Sequence, residues 1–510
     1  MKLLLSRIAE FIVPSDQAPS EQVPSAQAPS DQAATGQYNG RAAAQGYSID
    51  SRTVQPGELF FAVKGERLDG HDFVEQALGR GAIAAVVEKR QRARYSSSAS
   101  LLAVDDTLVA LQTLATAVRK IWGKTAIAIT GSMGKTTTKE AMAHLLAIKY
   151  RVHRTKGNFN NRFGLPLGLL TLEPEYDIAV VEMGMSHPGE ISALARIALP
   201  NQAVVTNVAP VHLESFDSIA GIARAKYELI EALPHGGTAV LNADDEYVSQ
   251  FGRDFKGKVV MFGVKPAAHV PARVPARVPA DVRAENIEVF GSEGTRFDLV
   301  SHEMAQPVRS PLLGKHNVYN VLAAAAVALE HGIAPSEIAA ALPSLQPADK
   351  RGQVVQVGNI TVLYDCYNSS PKALMAAVDT LAAMPARRRI VVAGEMLELG
   401  ATGEQLHREC GRYMARNAAG SRAESKIDFL LGVRGLAKPM VEAAREAGME
   451  AEFVVTPEAA GEWLARETRE DDVVLLKASR GVKLEKALET WQRKVGTPNA
   501  PGAGKLRTEN

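Results

Sequence analysis

Short apolar runs rich in β-branched residues recur through the middle of the chain. Ala126-Ile-Ala-Ile-Thr130, Ile178-Ala-Val-Val-Glu182, Ala203-Val-Val-Thr-Asn207 and Ala239-Val-Leu-Asn242 carry almost no polar alternation, so they read as strands buried on both faces. A longer segment of helical pattern follows each. After the first, Met142, Leu145 and Leu146 fall on one helical face. Buried strands alternating with helices predict a mostly parallel sheet covered on both sides.

A second series of the same kind starts at Ile360-Thr-Val-Leu-Tyr-Asp365. It continues through Arg389-Ile-Val-Val-Ala393, Phe429-Leu-Leu-Gly432 and Val473-Val-Leu-Leu-Lys477, and predicts a separate Rossmann-like unit. Two stretches break the pattern. Residues 14–33 are the pentapeptides PSDQA, PSEQV, PSAQA and PSDQA; residues 270–281 are the tetrapeptides VPAR, VPAR and VPAD. Proline at this density blocks helix and central strand, and neither repeat has apolar side chains for a core, so both are expected to be surface insertions. The predicted fold is α/β in three domains. Residues 1–104 form a small mixed α/β domain with the insert 14–33, and residues 105–346 a central domain with the Pro-rich insert 265–281. Residues 347–495 form the Rossmann-like domain and residues 496–510 a frayed tail.

With 510 residues, 46% hydrophobic and 23% charged, the chain has the balance of a soluble globular protein. A formal net charge of +1 offers no basic field for nucleic acid or a membrane surface. Two cysteines, Cys366 and Cys410, are too few for a disulfide framework and fit a reducing compartment. The first residues resemble a signal peptide, but Arg7 and Glu10 interrupt the apolar run. No stretch reaches the ~20 apolar residues of a membrane span. A cytoplasmic, monomeric protein is expected.

The most specific motif is Thr130-Gly-Ser-Met-Gly-Lys-Thr-Thr-Thr-Lys139, placed between a buried strand and a helix. Backbone amides of such a turn and the positive end of the helix converge on phosphate. Gly131, Ser132, Met133, Gly134, Lys135, Thr136 and Thr137 are the predicted nucleotide loop. Lys135 would reach the β- and γ-phosphates, and the Thr136 hydroxyl would ligate Mg²⁺. The loop is of the short T-G-x-x-G-K-T form, with Ile129 where the longer form has glycine. Glu182, at the end of its strand, would face the same crevice, because ligands bind at the carboxyl ends of parallel strands. His212 follows the next strand, and with Thr136 and Glu182 it makes a donor set suited to Mg²⁺ or Mn²⁺. Lys226 lies on a helix a little beyond; by itself it reads as a solvated lysine. Cys366 has no histidine near it in sequence and reads as a small apolar filler.

Together these residues resemble the Mur ligase family over nearly the whole chain outside the inserts and the tail. Asp50-Ser-Arg-Thr-Val-Gln-Pro-Gly-Glu-Leu-Phe-Phe-Ala62 and Gly65-Glu-Arg-Leu-Asp-Gly-His-Asp-Phe73 are similar to the family's UDP-substrate domain. Gly314-Lys-His-Asn-Val-Tyr-Asn320 is similar to the segment that closes its ATPase domain. Gly157-Asn-Phe-Asn-Asn-Arg-Phe-Gly164, Asp365-Cys-Tyr-Asn-Ser-Ser-Pro371 and Gly394-Glu-Met-Leu-Glu-Leu-Gly400 resemble the branch that joins D-alanyl-D-alanine to UDP-N-acetylmuramoyl-tripeptide. Tyr364, Ser370 and Glu395 depart from that branch's pattern. The resemblance implies an ATP-dependent carboxylate–amine ligase of peptidoglycan precursor synthesis that works through an acyl phosphate. It implies two Mg²⁺ held by Thr136, Glu182, His212 and a carbamylated Lys226. It also implies nucleotide contacts from Asn320, Arg351 and Asp365, and UDP-peptide contacts from Ser51, Asn160, Asn161 and Ser186. The alternatives are a diaminopimelate-adding relative, whose Asp-Asn-Pro-Arg signature is absent, a lysine-adding relative, and a nucleotide-binding scaffold without chemistry.

Overall fold

A computed structural model describes residues 1–13, 38–97, 99–157, 159–211, 214–264, 280–418 and 427–496. The pentapeptide repeats, the tetrapeptide repeats up to residue 279 and the tail beyond 496 lie outside the described residues.

The chain opens with an antiparallel ribbon of β1 (Leu3–Leu4) and β2 (Ala43–Ala44). A parallel sheet follows, in the order β3 (Gly46–Ser48), β4 (Glu58–Phe61), β5 (Ala84–Glu88) and β6 (Leu101–Val104). Helix Thr107–Trp122 comes next. It starts where the Asp106 carboxylate accepts the Leu108 and Val109 amides at 2.7 and 2.9 Å, and it ends at Gly123 with φ 68°. Its buried stripe, including Leu111, Leu114 and Val118, packs in one core with Leu5 and Ile8 of the first helix and with Ala126, Ala128, Ala179 and Val181 of the next sheet. The N-terminal unit therefore sits on the central one through shared apolar side chains.

The central sheet contains β7 (Thr125–Thr130), β8 (Val152–Arg154), β9 (Ile178–Glu182), β10 (Gln202–Val205), β11 (Thr238–Asn242), β12 (Lys258–Gly263), β13 (Val282–Val289), β14 (Thr295–Ser301) and β15 (Met304–Ser310). Its spatial order is β15-β14-β13-β12-β11-β10-β7-β9-β8, with every pairing from β8 to β13 parallel and the last two antiparallel. The chain places β8 and β9 on one side of β7 and crosses to the other side for β10. The carboxyl end of β7 is thus a switch point, where a crevice opens. Helix Lys315–Glu330 covers one face; its run Ala323–Ala328 is fully buried and packs with Ala141, Met142 and Leu145 of helix Lys135–Leu146.

Three details differ from the pattern read in the sequence. The third strand stops at Val205, and Thr206 and Asn207 peel away from it. No helix follows β11, only a single 3-10 turn at Val248–Gln250 before β12. The antiparallel extension over residues 282–310 was not predicted; its strands alternate exposed and buried residues and carry charges, so they lack the fully apolar signature.

The last unit holds β16 (Gln353–Val357), β17 (Ile360–Asp365), β18 (Arg388–Gly394), β19 (Phe429–Val433), β20 (Ala451–Val454) and β21 (Asp472–Lys477), in the order β16-β17-β21-β18-β19-β20. All pairings but the first are parallel, and helices cover both faces over two separate cores. This is the expected three-part α/β architecture. Among the described residues no helix is long and apolar enough to cross a membrane.

Candidate active site

The turn after β7 is shaped by two glycines in left-handed backbone, Gly131 (φ 147°) and Gly134 (φ 82°). A Cβ on Gly131 would stand 1.9 Å from Thr206 Oγ1, and one on Gly134 would stand 2.2 Å from Asn320 Oδ1. The loop is packed against those two side chains with no room for a larger residue. It is also pinned by hydrogen bonds from the segment that leaves β10. Met133 N donates to Asn207 Oδ1 at 3.0 Å, Thr206 Oγ1 donates to Met133 O at 2.6 Å, and Ser132 N donates to Asn207 O at 2.9 Å. Asn207 was not singled out in the sequence, where it reads as the last residue of a strand; only its position as the partner of the loop reveals its part.

Helix Lys135–Leu146 begins directly at this loop. The Lys135 ammonium donates to Gly131 O at 2.7 Å, folded back over the turn. Burial lowers its pKa, the Glu182 carboxylate opposes that shift and Arg351 adds to it. The Thr136 hydroxyl donates to Glu182 Oε2 at 2.9 Å, and the other carboxylate oxygen accepts Asn160 Nδ2 at 2.8 Å. From the C-terminal unit, Arg351 Nη2 reaches Thr136 Oγ1 at 3.4 Å, while its guanidinium lies 4.0 Å over the Tyr367 ring. Lys135, Thr136, Glu182, Asn160 and Arg351 are therefore one connected group, drawn from three segments of the central unit and one of the last.

Lys226 lies on helix Ile219–Glu231 and is only 2% exposed, so its reading as a solvated lysine fails. Burial drives its pKa well below the ordinary lysine range, and the nearby charge of Lys135 drives it further down, against Asp245. His212 lies outside the described residues.

A cavity of about 310 Å³ extends from the loop into the space between the central and C-terminal units. Ser132 to Lys135, Thr137, Asn207, His316 and Asn320 line one wall. Arg351, Asp365, Lys372, Lys477 and Arg480 are among the residues of the other. Asn320 Oδ1 accepts the Thr138 hydroxyl at 3.2 Å and its amide donates to Asn317 at 2.7 Å. Asp365 is held by Lys477 at 2.6 Å, an ion pair across the carboxyl ends of β17 and β21. Cys366 is buried, with its thiol donating to Leu476 O at 3.3 Å, which agrees with its reading as a filler.

The remaining predicted residues make their hydrogen bonds with residues outside this group. Ser51 is buried and donates to Gln76 Oε1 at 2.8 Å within the N-terminal unit. Ser186 is exposed, and its amide donates to Glu190 Oε2 at 2.6 Å. Asn161 Oδ1 accepts the Phe163 and Gly164 amides at 3.2 and 2.9 Å just ahead of helix Gly164–Leu170.

A glycine cradle at a switch point, a lysine and threonine opening the helix, and a strand-end carboxylate beside them have the arrangement of a nucleotide-phosphate site. The chain belongs to the Mur ligase family. Residues 44–121 match the Mur ligase family catalytic domain, residues 129–328 the Mur ligase middle domain, and residues 350–480 the Mur ligase glutamate ligase domain. Among curated relatives, it is 34% identical to the UDP-N-acetylmuramoyl-tripeptide–D-alanyl-D-alanine ligase of Bacillus subtilis, over 89% of this chain and 94% of that protein. The ligase of the same name from Escherichia coli is 36% identical over 87% of this chain and 93% of its own length. Among solved structures, a MurF from Acinetobacter baumannii superposes with a TM-score of 0.77 at 29% identity, covering 88% of this chain and 94% of that one. The MurF ligase of Thermotoga maritima in complex with ADP superposes at 0.73 and 28% identity, covering 89% and 98%.

The cradle gives a direct test. Gly134→Ala forces a side chain onto Asn320 and into left-handed backbone at once, so ADP binding measured by calorimetry should weaken by at least about tenfold, a cost of the order of such backbone strain. The fold, read by circular dichroism, should be retained. Unchanged ADP affinity in the variant would remove the loop from the nucleotide site.

Proposed function

We propose that this protein joins D-alanyl-D-alanine to UDP-N-acetylmuramoyl-tripeptide at the expense of ATP, a step of peptidoglycan precursor synthesis. The observation that carries this reading is the match to ligases of that name across 89% of the chain, with the phosphate loop, Glu182 and Lys226 all in place. The division into a UDP-substrate domain at 1–104, an ATP domain at 105–346 and a ligase domain at 347–495 follows from the same reading.

The chemistry asks for two things. A carboxylate is a poor acyl donor because oxide is its leaving group, and phosphorylation by ATP replaces oxide with phosphate. Two anions must then approach each other, the substrate carboxylate and the γ-phosphate. The cations of Lys135 and Arg351 face that meeting point across the cleft, and the loop amides are preorganised donors for phosphate oxygens. An amine then attacks the acyl phosphate, expelling phosphate, and water has to be excluded while it does so. A cleft between two units, already bridged by Arg351 and Thr136, suits that requirement.

The donor set fits Mg²⁺: the Thr136 hydroxyl and the Glu182 carboxylate are hard oxygens in mutual contact, and Asn160 orients the carboxylate. Two ions would be held by Thr136, Glu182, His212 and Lys226, and would supply further screening between the two anions. Lys226 takes part as a carbamate, which turns an amine into an oxygen ligand. Carbamylation needs the neutral amine, and the burial of Lys226 together with the Lys135 charge favours that form. Asn320, Asp365 and Arg351 serve the nucleotide, and Ser51, Asn160, Asn161 and Ser186 the UDP-peptide. The protein acts as a cytoplasmic monomer in this reading.

The test is phosphate release from ATP in the presence of UDP-N-acetylmuramoyl-tripeptide, D-alanyl-D-alanine, or both. Release should require both, and a product of their summed mass less one water should accumulate. Release with a single amino acid such as diaminopimelate in place of the dipeptide would replace this reading with that of another family branch. Lys226→Ala should be nearly inactive and should recover part of its rate in formate or acetate, which return oxygen ligands to the emptied space. A Lys226→Arg enzyme with substantial activity, combined with no rescue of the alanine variant, would leave Lys226 a simple cation.

A further inference from the structure

Lys139 is a buried cation that the reaction, as described so far, does not use. Its side chain is fully enclosed, at 0% exposure. Removing an ammonium from water is costly unless its donors are met, and a methionine of similar length would avoid that cost. Here the donors are met in a particular way. Nζ donates to Thr155 O at 2.7 Å and to Gly157 O at 3.4 Å, and lies 3.3 Å from Glu140 Oε1. The other oxygen of Glu140 takes Arg154 Nε at 2.9 Å. Both the end of β8 and the first residues after it are therefore fastened to helix Lys135–Leu146.

The chain after β8 is gripped from its other side as well. A Cβ on Gly168 would stand 2.8 Å from Thr155 Cγ2, and one on Gly164 would stand 2.6 Å from Phe159 Cα, so helix Gly164–Leu170 packs flush against this segment. At its far end Asn160 accepts Gly184 N at 2.8 Å through its carbonyl, and its side-chain amide donates to Glu182. Lys139 is one helical turn beyond Lys135. One helix thus carries the nucleotide loop at its first turn and holds the Asn160 segment at its second.

We infer that Lys139 is a positioning residue for the UDP-peptide: it sets the segment that presents Asn160, and through the shared helix ties that segment to the nucleotide loop. The inference rests on the ligase reading above.

Calorimetry on the full chain with saturating ADP tests it without turnover. Lys139→Met should weaken UDP-N-acetylmuramoyl-tripeptide binding by about tenfold, the loss expected from hydrogen bonds to a charged group. ADP affinity should stay within about twofold, because the loop keeps its own braces. Combined with Asn160→Ala, the double variant should bind no more weakly than the worse single variant, since Lys139 acts through Asn160. Additive losses, equal losses for ADP and the UDP-peptide, or a lowered melting temperature with unchanged affinity would each overturn the proposal and leave Lys139 a core brace. If Lys139→Met does not fold, Lys139→Gln, which keeps a donor toward Thr155 O, goes through the same cycle under the same criteria. A wild-type protein that binds no UDP-peptide sinks the ligase reading itself. Binding by the wild type with no effect of the variant sinks only this inference.

Discussion

Two glycines and the side chains they lie against set the geometry of everything else. Gly131 and Gly134 sit where a single added carbon would collide with Thr206 and with Asn320. The loop can take this form only because β10 ends early and its next residues turn back to bind Met133 and Ser132. The path of the chain around β7 makes that possible, since β9 and β10 flank it and their ends meet the loop from both sides. From that fixed point the helix start directs Lys135 and Thr136, and Thr136 meets Glu182.

Electrostatics follows from the same placement. Lys226 is buried and Lys135 half-buried, the charge of Lys135 bears on Lys226, and Arg351 adds a third cation from the far wall. Without an anion such a cluster is costly; a polyphosphate offsets it. A cluster of this sign suits a ligand that carries several negative charges. Its one central carboxylate, Glu182, is satisfied on both oxygens by Thr136 and Asn160. Across the cleft Leu313 of the central unit packs into a core of the C-terminal unit, while Arg351 and Ser370 make polar contacts with Thr136 and Met133, so the two units are joined by apolar as well as polar contacts.

Much of this was legible in the sequence, for identifiable reasons. Strands buried on both faces are continuous apolar runs, and the starts of β7, β9, β17 and β21 lay within a residue of where the runs placed them. The phosphate loop is a contiguous motif, so it was visible whole. What is not contiguous was hidden. Asn207 supports the loop from a distant segment, and nothing local distinguishes it from a strand residue. Lys139 ends the very motif that drew attention, yet its burial depends on the segment after β8, whose carbonyls it binds. The strands of 282–310 went unread because they lie at an edge, half solvated, where polar residues interrupt the pattern. Lys226 reads as a surface lysine because its neighbours in sequence say nothing about the helix face that packs inward. Its link to Glu182 and Thr136 came from family resemblance, and its burial from the fold.

The central claim is that this cleft moves a phosphoryl group onto a substrate carboxylate before the amide bond forms. Isotope transfer tests that step itself. UDP-N-acetylmuramoyl-tripeptide labelled with oxygen-18 in its terminal carboxylate should yield inorganic phosphate carrying one labelled oxygen per amide bond formed, because the bridging oxygen of an acyl phosphate leaves with the phosphate. Phosphate released without label, alongside normal amide product, would contradict the account.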